Sequence, residues 1–230
     1  MTDAGFVIYR VRSQTAPPKG RYEFRVWPRS PHPAGSALQR FWPQVGAERR
    51  TDVYLVHAAS DLLLVKLRDG QRLEIKRRGH DVGSVQYWST QLSTGFPLAA
   101  QERAALAEAL DLTRGLSADA ALSPAHLLAT LDARAERVVP KRVRKSRLLF
   151  LSGACRAEVC RVAVGSWTGL TIALEAPDLP SIAVAVDDLR LGSLPNRSYG
   201  EALVRLANPS PQDRRRLPSG AGTHQEEPAP

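Results

Sequence analysis

Residues 21–27 read RYEFRVW, with Arg21, Glu23 and Arg25 at odd positions and Tyr22, Phe24 and Val26 at even ones. Side chains of a β-strand alternate between its two faces, so this run predicts a strand with one charged and one apolar face. Four more stretches repeat the pattern. LLLVKLR groups Lys66 with Arg68, LEIKRR groups Glu74, Lys76 and Arg78, KSRLLF presents Lys145 and Arg147, and CRAEVCRV presents Arg156 and Glu158. One such strand is an ordinary solvated sheet face. Five, with bases outnumbering acids, predict β-structure built around an anionic ligand.

Working outward, FVIYRVR near the start reads as a short strand that ends in the turn APPKG. SALQRFW reads as a short helix with Pro33 near its beginning. TDVYLVH, LLLVKLRDG and RLEIKRR form a meander, with Asp69-Gly70 as a hairpin signal. AAQERAALAEALDL and SPAHLLATLDARAERV read as helices, the second with Ser123 as N-cap and Pro124 in the first turn. Strand patterns resume in RVRKSRLLFLSG, CRAEVCRVAVG, GLTIALEAPD and SIAVAVDDLRL, followed by a helix, SYGEALVRLA, capped by Ser198. The order of strands, helices and strands gives an α+β class. About eight antiparallel strands with polar-inward alternation close into a barrel roomy enough for a ligand. The expected organisation is an N-terminal extension over 1–20, a tunnel domain over 21–207 and a disordered Pro/Gly/charge-rich tail over 208–230.

Composition narrows the function. The 230 residues are 43% hydrophobic and 24% charged, ordinary for a globular chain, and no apolar run is long enough for a membrane helix. The N-terminus lacks the pattern of a secretory signal. Cys155 and Cys160, five apart on one predicted strand, face opposite ways and are not expected to pair, which fits a reducing cytoplasm. The net charge is +9, but bases are spread over many strands and aromatics make up only 6%. A nucleic-acid partner is therefore disfavoured against a small or polymeric phosphate ligand, and no membrane partner is expected. Gly-rich phosphate loops, Ser-His-Asp sets and zinc-type cysteine clusters are missing from the sequence. His57 and His80 have no ligand-like spacing, and Trp27 and Trp88 read as core residues. Glu74 reads as a salt-bridge partner of Lys76. Asp187 and Asp188, adjacent and so on opposite faces of a strand, read as a loop-edge pair.

The succession YEFRVW, TDVYLV, LLLVKLRDG, LEIKRR, KSRLLF, CRAEVCRV, GLTIALEAPDL and LRLGSLPNRSYGEAL resembles the CYTH family, the triphosphate tunnel metalloenzymes. The likeness spans roughly residues 20–206, and its most specific part is Leu191-Gly192 followed by Ser198-Tyr199. It implies an eight-stranded antiparallel β-barrel with flanking helices, whose tunnel grips a triphosphate with bases and holds Mg²⁺ or Mn²⁺ with acids. On that resemblance Arg25, Lys66, Arg68, Lys76, Lys145 and Arg147 are the phosphate-binding positions, and Glu23, Glu158 and Glu175 the metal-binding ones. The chain departs from the family twice. Arg21 stands where the first strand carries an acid, and Ala173 stands where a second acid would accompany Glu175. The phosphate grip is thus expected intact and the metal site depleted. The implied activity is binding of triphosphate-type anions with metal-dependent hydrolysis; the alternative is an inactive phosphate-binding or interaction module.

Overall fold

The computed structural model describes residues 20–57, 62–112, 116, 122–132 and 138–207. The predicted strand FVIYRVR and the predicted tail lie outside these. Eight strands, β1 Arg21–Val26, β2 Gln44–His57, β3 Leu63–Arg68, β4 Arg72–Arg78, β5 Gln86–Gly95, β6 Val138–Ser152, β7 Cys155–Val164 and β8 Trp167–Ala176, form a closed barrel in the order β1-β5-β4-β3-β2-β6-β7-β8. Every neighbouring pair is antiparallel, including the β1–β8 pair that shuts the cylinder. This is the α+β barrel that the family resemblance implied. Closure gives every strand a neighbour on each side.

One expected element changes identity and one strand is unexpected. SIAVAVDD, read as a strand, is helix α4 over Leu179–Asp188. Ile182, Val184 and Val186 give a period-two apolar signal, but Asp178 caps the helix, accepting from the Ser181 backbone N–H at 2.8 Å, and Pro180 suits the first turn. Asp187 and Asp188 therefore end a helix. The missing eighth strand is β5, QYWSTQLSTG, whose Gln, Ser and Thr residues give neither face an apolar signature. β2 also starts seven residues before the predicted TDVYLVH. The remaining helices are α1 Pro33–Phe41, α2 Ala100–Ala109, α3 Pro124–Asp132 and α5 Tyr199–Ala207, all at the predicted places. The β3–β4 turn has Asp69 and Gly70 at φ 49° and 65°, the left-handed pair a tight hairpin needs.

The outer wall carries two cores. Phe24, Val26, Ala157, Val159, Ile172 and Leu174 pack against α1 and α4 through Leu38 and Ile182. Val53, Leu55, Val65, Leu67, Leu73 and Ile75 pack against α2 and α3 through Leu106 and Leu127. A third core lies at one end of the barrel. There Tyr54, Val143, Cys160 and Val162 meet Tyr199 and Leu203 of α5. Ser198 and Glu201 form a reciprocal capping box at the start of α5, with N–H to oxygen distances of 3.2 and 2.6 Å. Cys155 and Cys160 are both buried and unpaired, in different cores. No helix among the described residues is long and apolar enough to cross a membrane.

A candidate anion site inside the barrel

Side chains that meet across a skipped strand must point into the lumen, and several charged ones do. Arg25 of β1 reaches past β8 to Glu158 of β7, 3.0 Å away. Lys76 of β4 reaches past β5 to Glu23 of β1 at 2.7 Å. Lys145 of β6 meets Asp52 of β2 at 2.7 Å. By strand parity and these contacts, Arg50, Lys66, Arg68 and Arg147 share the lumen with them, as do Glu48, Glu74 and Glu175. All six predicted phosphate-binding bases are brought together, and the predicted acids Glu23, Glu158 and Glu175 line the same space.

The sequence alone does not flag Glu48, Arg50, Asp52, Tyr54 or Tyr199 as lumen residues. Glu48, Arg50, Asp52 and Tyr54 alternate on β2, and their period-two spacing was the available signal. The β2 start had been placed at Thr51, which hid the first two. Tyr199 comes from α5 and has no strand periodicity to announce it. It stacks on Tyr54 with centroids 5.1 Å apart, and meets Trp27 edge-on at 5.0 Å. The Arg25 guanidinium lies 4.6 Å and the Lys145 ammonium 4.0 Å from its ring centroid. Trp27 also donates its indole N–H to the Arg197 carbonyl, and Trp88, buried, donates to Gln86. His80 is exposed and stacks on Tyr87.

Each lumen cation already holds a carboxylate. Lys66 and Arg68 both grip Glu74 at 3.0 Å, so Glu74 pairs across the β3–β4 hairpin and not with Lys76. Arg50 touches Glu48 at 3.1 Å and Asp52 at 3.3 Å. Arg147 binds both Glu158 and Glu48. These pairs shift the titration of their members. Burial pushes Glu158 up, but Arg25, Arg147 and Lys145 outweigh it and hold the carboxyl down at about 2. Glu23 is lowered by Lys76 and Arg25 against the cost of burial. Glu175 goes the other way. Burial and the facing Glu23, its ladder partner on β1, raise it above its ordinary value. Lys145 is brought down to about 7, chiefly by burial and then by the charge of Lys66, even with Asp52 and the Tyr54 hydroxyl accepting from its ammonium at 2.7 Å.

The donor set does not fit a resident divalent cation. Among the described residues no three His, Cys, Asp or Glu side chains gather closely enough to hold one. Both oxygens of Glu158 are taken by guanidiniums, and Glu23 is held by Lys76. Ala173 lies in register between Arg25 and Glu158 and supplies no ligand, and Glu175 lies in register between Glu23 and Arg156.

No family model and no curated protein matches the sequence. Solved structures do match in part. A protein from Pyrococcus horikoshii OT3 is 14% identical over 81% of this chain and 99% of that one, with a TM-score of 0.44. A putative adenylyl cyclase from Hippeastrum, described as having a dominant triphosphatase activity, is 16% identical over 83% of this chain and 98% of that one, at 0.45. The RNA triphosphatase domain of a mimivirus mRNA capping enzyme is 8% identical over 75% of this chain and 88% of that one, at 0.41.

Proposed function

We propose that the barrel binds a triphosphate or polyphosphate anion within its lumen. The observation that supports this most is the convergence of seven cations, Arg25, Arg50, Lys66, Arg68, Lys76, Lys145 and Arg147, from five strands into the lumen of one closed barrel, with Arg25, Lys66 and Lys145 buried there. Anions entering such a space gain charge-assisted hydrogen bonds that water would weaken. Six acids line the same wall, so phosphate oxygens take over cations that carboxylates hold in the empty protein. Arg147 and Arg25 supply planar forks suited to phosphate, and the lysines supply point charges. Glu175, raised by burial and by the facing Glu23, takes up a proton more readily than an ordinary carboxylate as phosphates approach.

Tripolyphosphate is expected to raise the melting temperature, because a ligand that binds only the native state stabilises it by mass action. Absence of any shift at millimolar tripolyphosphate, with and without Mg²⁺, rejects the proposal.

A second expected result concerns Lys145. Bound phosphates favour its charged form, so the complex holds a proton that the empty protein releases near pH 7. Affinity therefore rises as pH falls from 9 towards 7, by at most about tenfold per unit, and levels off below. In Lys145→Met that part of the pH dependence is gone and binding weakens by about 1–3 kcal/mol. Calorimetric titrations of both proteins at pH 6, 7, 8 and 9 check this, and equal slopes refute it. The empty protein has the opposite sensitivity. The unfolded chain holds the Lys145 proton more tightly than the folded one does, so this residue adds stability as pH rises above about 7.

A hydrolytic reading rests on the facing Glu23 and Glu175, the one acid pair in ladder register within the lumen among the described residues. Phosphate release from tripolyphosphate across an Mg²⁺ or Mn²⁺ titration tests it. Metal-dependent turnover that Glu175→Gln abolishes supports an enzyme. Binding without turnover at any metal concentration supports a phosphate-binding module.

A further inference from the structure

The barrel wall separates charge by sign on strands β2, β6 and β7. Every acid on these strands, Glu48, Asp52 and Glu158, has inward parity. The outward positions carry Arg49, Arg142, Arg144 and Arg161, all four exposed. The registers place them together. Arg49 and Arg161 flank Ser146 from either side, and one row along the ladder Arg144 lies between Thr51 and Ala163. Arg142 follows two residues before Arg144 on the same strand face. Arg144 is thus at the centre, with Arg142 about 7 Å along its own strand and the other two diagonal to it on neighbouring strands.

None of the five described helices covers this sector. The core under α1 and α4 ends at Leu148 and Leu170, and the core under α2 and α3 ends at Val53 and Val138. Between them no described element packs over the strip, and its guanidinium groups form no ion pair or hydrogen bond with any described side chain. Like charges on neighbouring strands repel, and a solvated sheet face ordinarily mixes signs to avoid that. Here four guanidiniums stand together on outward strand faces that carry no acid, interspersed with the hydroxyls of Thr51 and Ser146; beside them the Asp69 carboxylate of the β3–β4 turn accepts from the Thr51 backbone N–H at 3.1 Å.

We propose that this outer strip binds the phosphodiester backbone of a nucleic-acid duplex, at a site separate from the lumen. Three observations favour that occupant. All four cations are arginines, whose planar forks suit phosphate oxygens, and the neighbouring hydroxyls are neutral donors to the same groups. The large apolar side chains in register with the arginines, Val53 and Leu170, are packed into the neighbouring cores, so the strip offers no apolar centre of the kind a protein partner's interface requires. It also lacks exposed aromatics on which the bases of a single strand would stack, so contact is with the backbone and is indifferent to sequence. A duplex carries one charge per about 1.7 Å of axis, ample to face the whole patch. This reverses the expectation drawn from dispersed bases. They are dispersed along the sequence, but register gathers them.

The test is a fluorescence-anisotropy titration of the full chain with a 20-base-pair 5′-hydroxyl RNA duplex over 50–200 mM salt. Four neutralised phosphates give a plot of log K against log salt with a slope of about −3.6. The double substitution Arg144→Gln/Arg161→Gln should lower affinity at least tenfold at 50 mM salt and flatten the slope by about 1.8. Saturating tripolyphosphate should not displace the duplex, and the double variant should keep the wild-type thermal shift with tripolyphosphate. Several outcomes overturn the proposal: no duplex binding at 50 mM salt, an unchanged slope in the double variant, displacement by tripolyphosphate, or equally tight binding of poly-glutamate. Duplex binding by a protein that tripolyphosphate fails to stabilise would leave the strip standing and remove the lumen reading.

Discussion

Replacing Glu158 by Ala is expected to destabilise the empty protein by about 3–5 kcal/mol, the range for breaking a buried ion pair and leaving the partner charge behind. The loss is large because one carboxylate serves two guanidiniums. Its Oε1 accepts from Arg25 at 3.0 Å and its Oε2 from the Arg147 Nε at 2.5 Å, all three groups deep in the lumen. A carboxyl held at about 2 contributes stability that is fully present above its ordinary value and disappears as pH falls through the folded value, so the variant also loses part of the protein's acid sensitivity. The informative arm is tripolyphosphate. If phosphates take the place of Glu158 against Arg25 and Arg147, the variant binds the anion more tightly than wild type, and saturating ligand recovers much of the stability. If Glu158 instead served a bound cation, the same change would weaken binding. Urea unfolding with and without 5 mM tripolyphosphate separates the two. An equal loss under both conditions refutes the exchange.

The second large effect belongs to Tyr199. Its ring fills the end of the barrel under α5, 4% exposed, against Tyr54, Trp27 and two cations. Tyr199→Ala is expected to cost about 3–5 kcal/mol, as large aromatic truncations do when surroundings cannot collapse. Tyr199→Phe keeps the ring and should cost under about 1.5 kcal/mol, the hydroxyl's nearest polar partner being the Cys160 sulfur at 3.9 Å. A difference between the variants of less than 1 kcal/mol in urea unfolding would show that the ring is not what holds α5 against the barrel.

Strand parity was the legible part of this molecule. From alternation alone Glu23 with Arg25, Lys66 with Arg68, and Lys145 with Arg147 fall on shared faces, and the structure turns those faces into the lumen. What alternation could not give was closure. β5 completes the cylinder with Gln86, Trp88 and Thr90 on one face and Tyr87, Ser89 and Gln91 on the other, a contrast too weak to read because both faces mix polar and aromatic groups. α4 was misread for the converse reason. Its β-branched residues fall at even spacing, and the deciding signal was local, in the cap at Asp178. The site was half visible. The bases announced themselves as an excess of charge, whereas Asp52 and Tyr54 looked like ordinary members of an apolar strand. Whether a base is free or already engaged depends on which strands meet across the cylinder, and no single stretch of sequence encodes that. The outer arginines escaped for a related reason, since Arg49, Arg144 and Arg161 are neighbours only through the ladders.

The carboxylates that line the lumen have a consequence for how binding responds to electrolyte. They are counter-ions covalently tethered to the wall, so the empty barrel has little need to recruit anions from solution. An incoming phosphate chain then performs an ion exchange, swapping captive carboxylates off Lys66, Lys76, Lys145 and Arg147, and few dissolved ions are set free. Entropy of ion release, which makes the association of open basic surfaces with polyanions so sensitive to salt, contributes little here. The lumen should hold its ligand almost as well at high ionic strength as at low, while a bare arginine strip on the same barrel would let go.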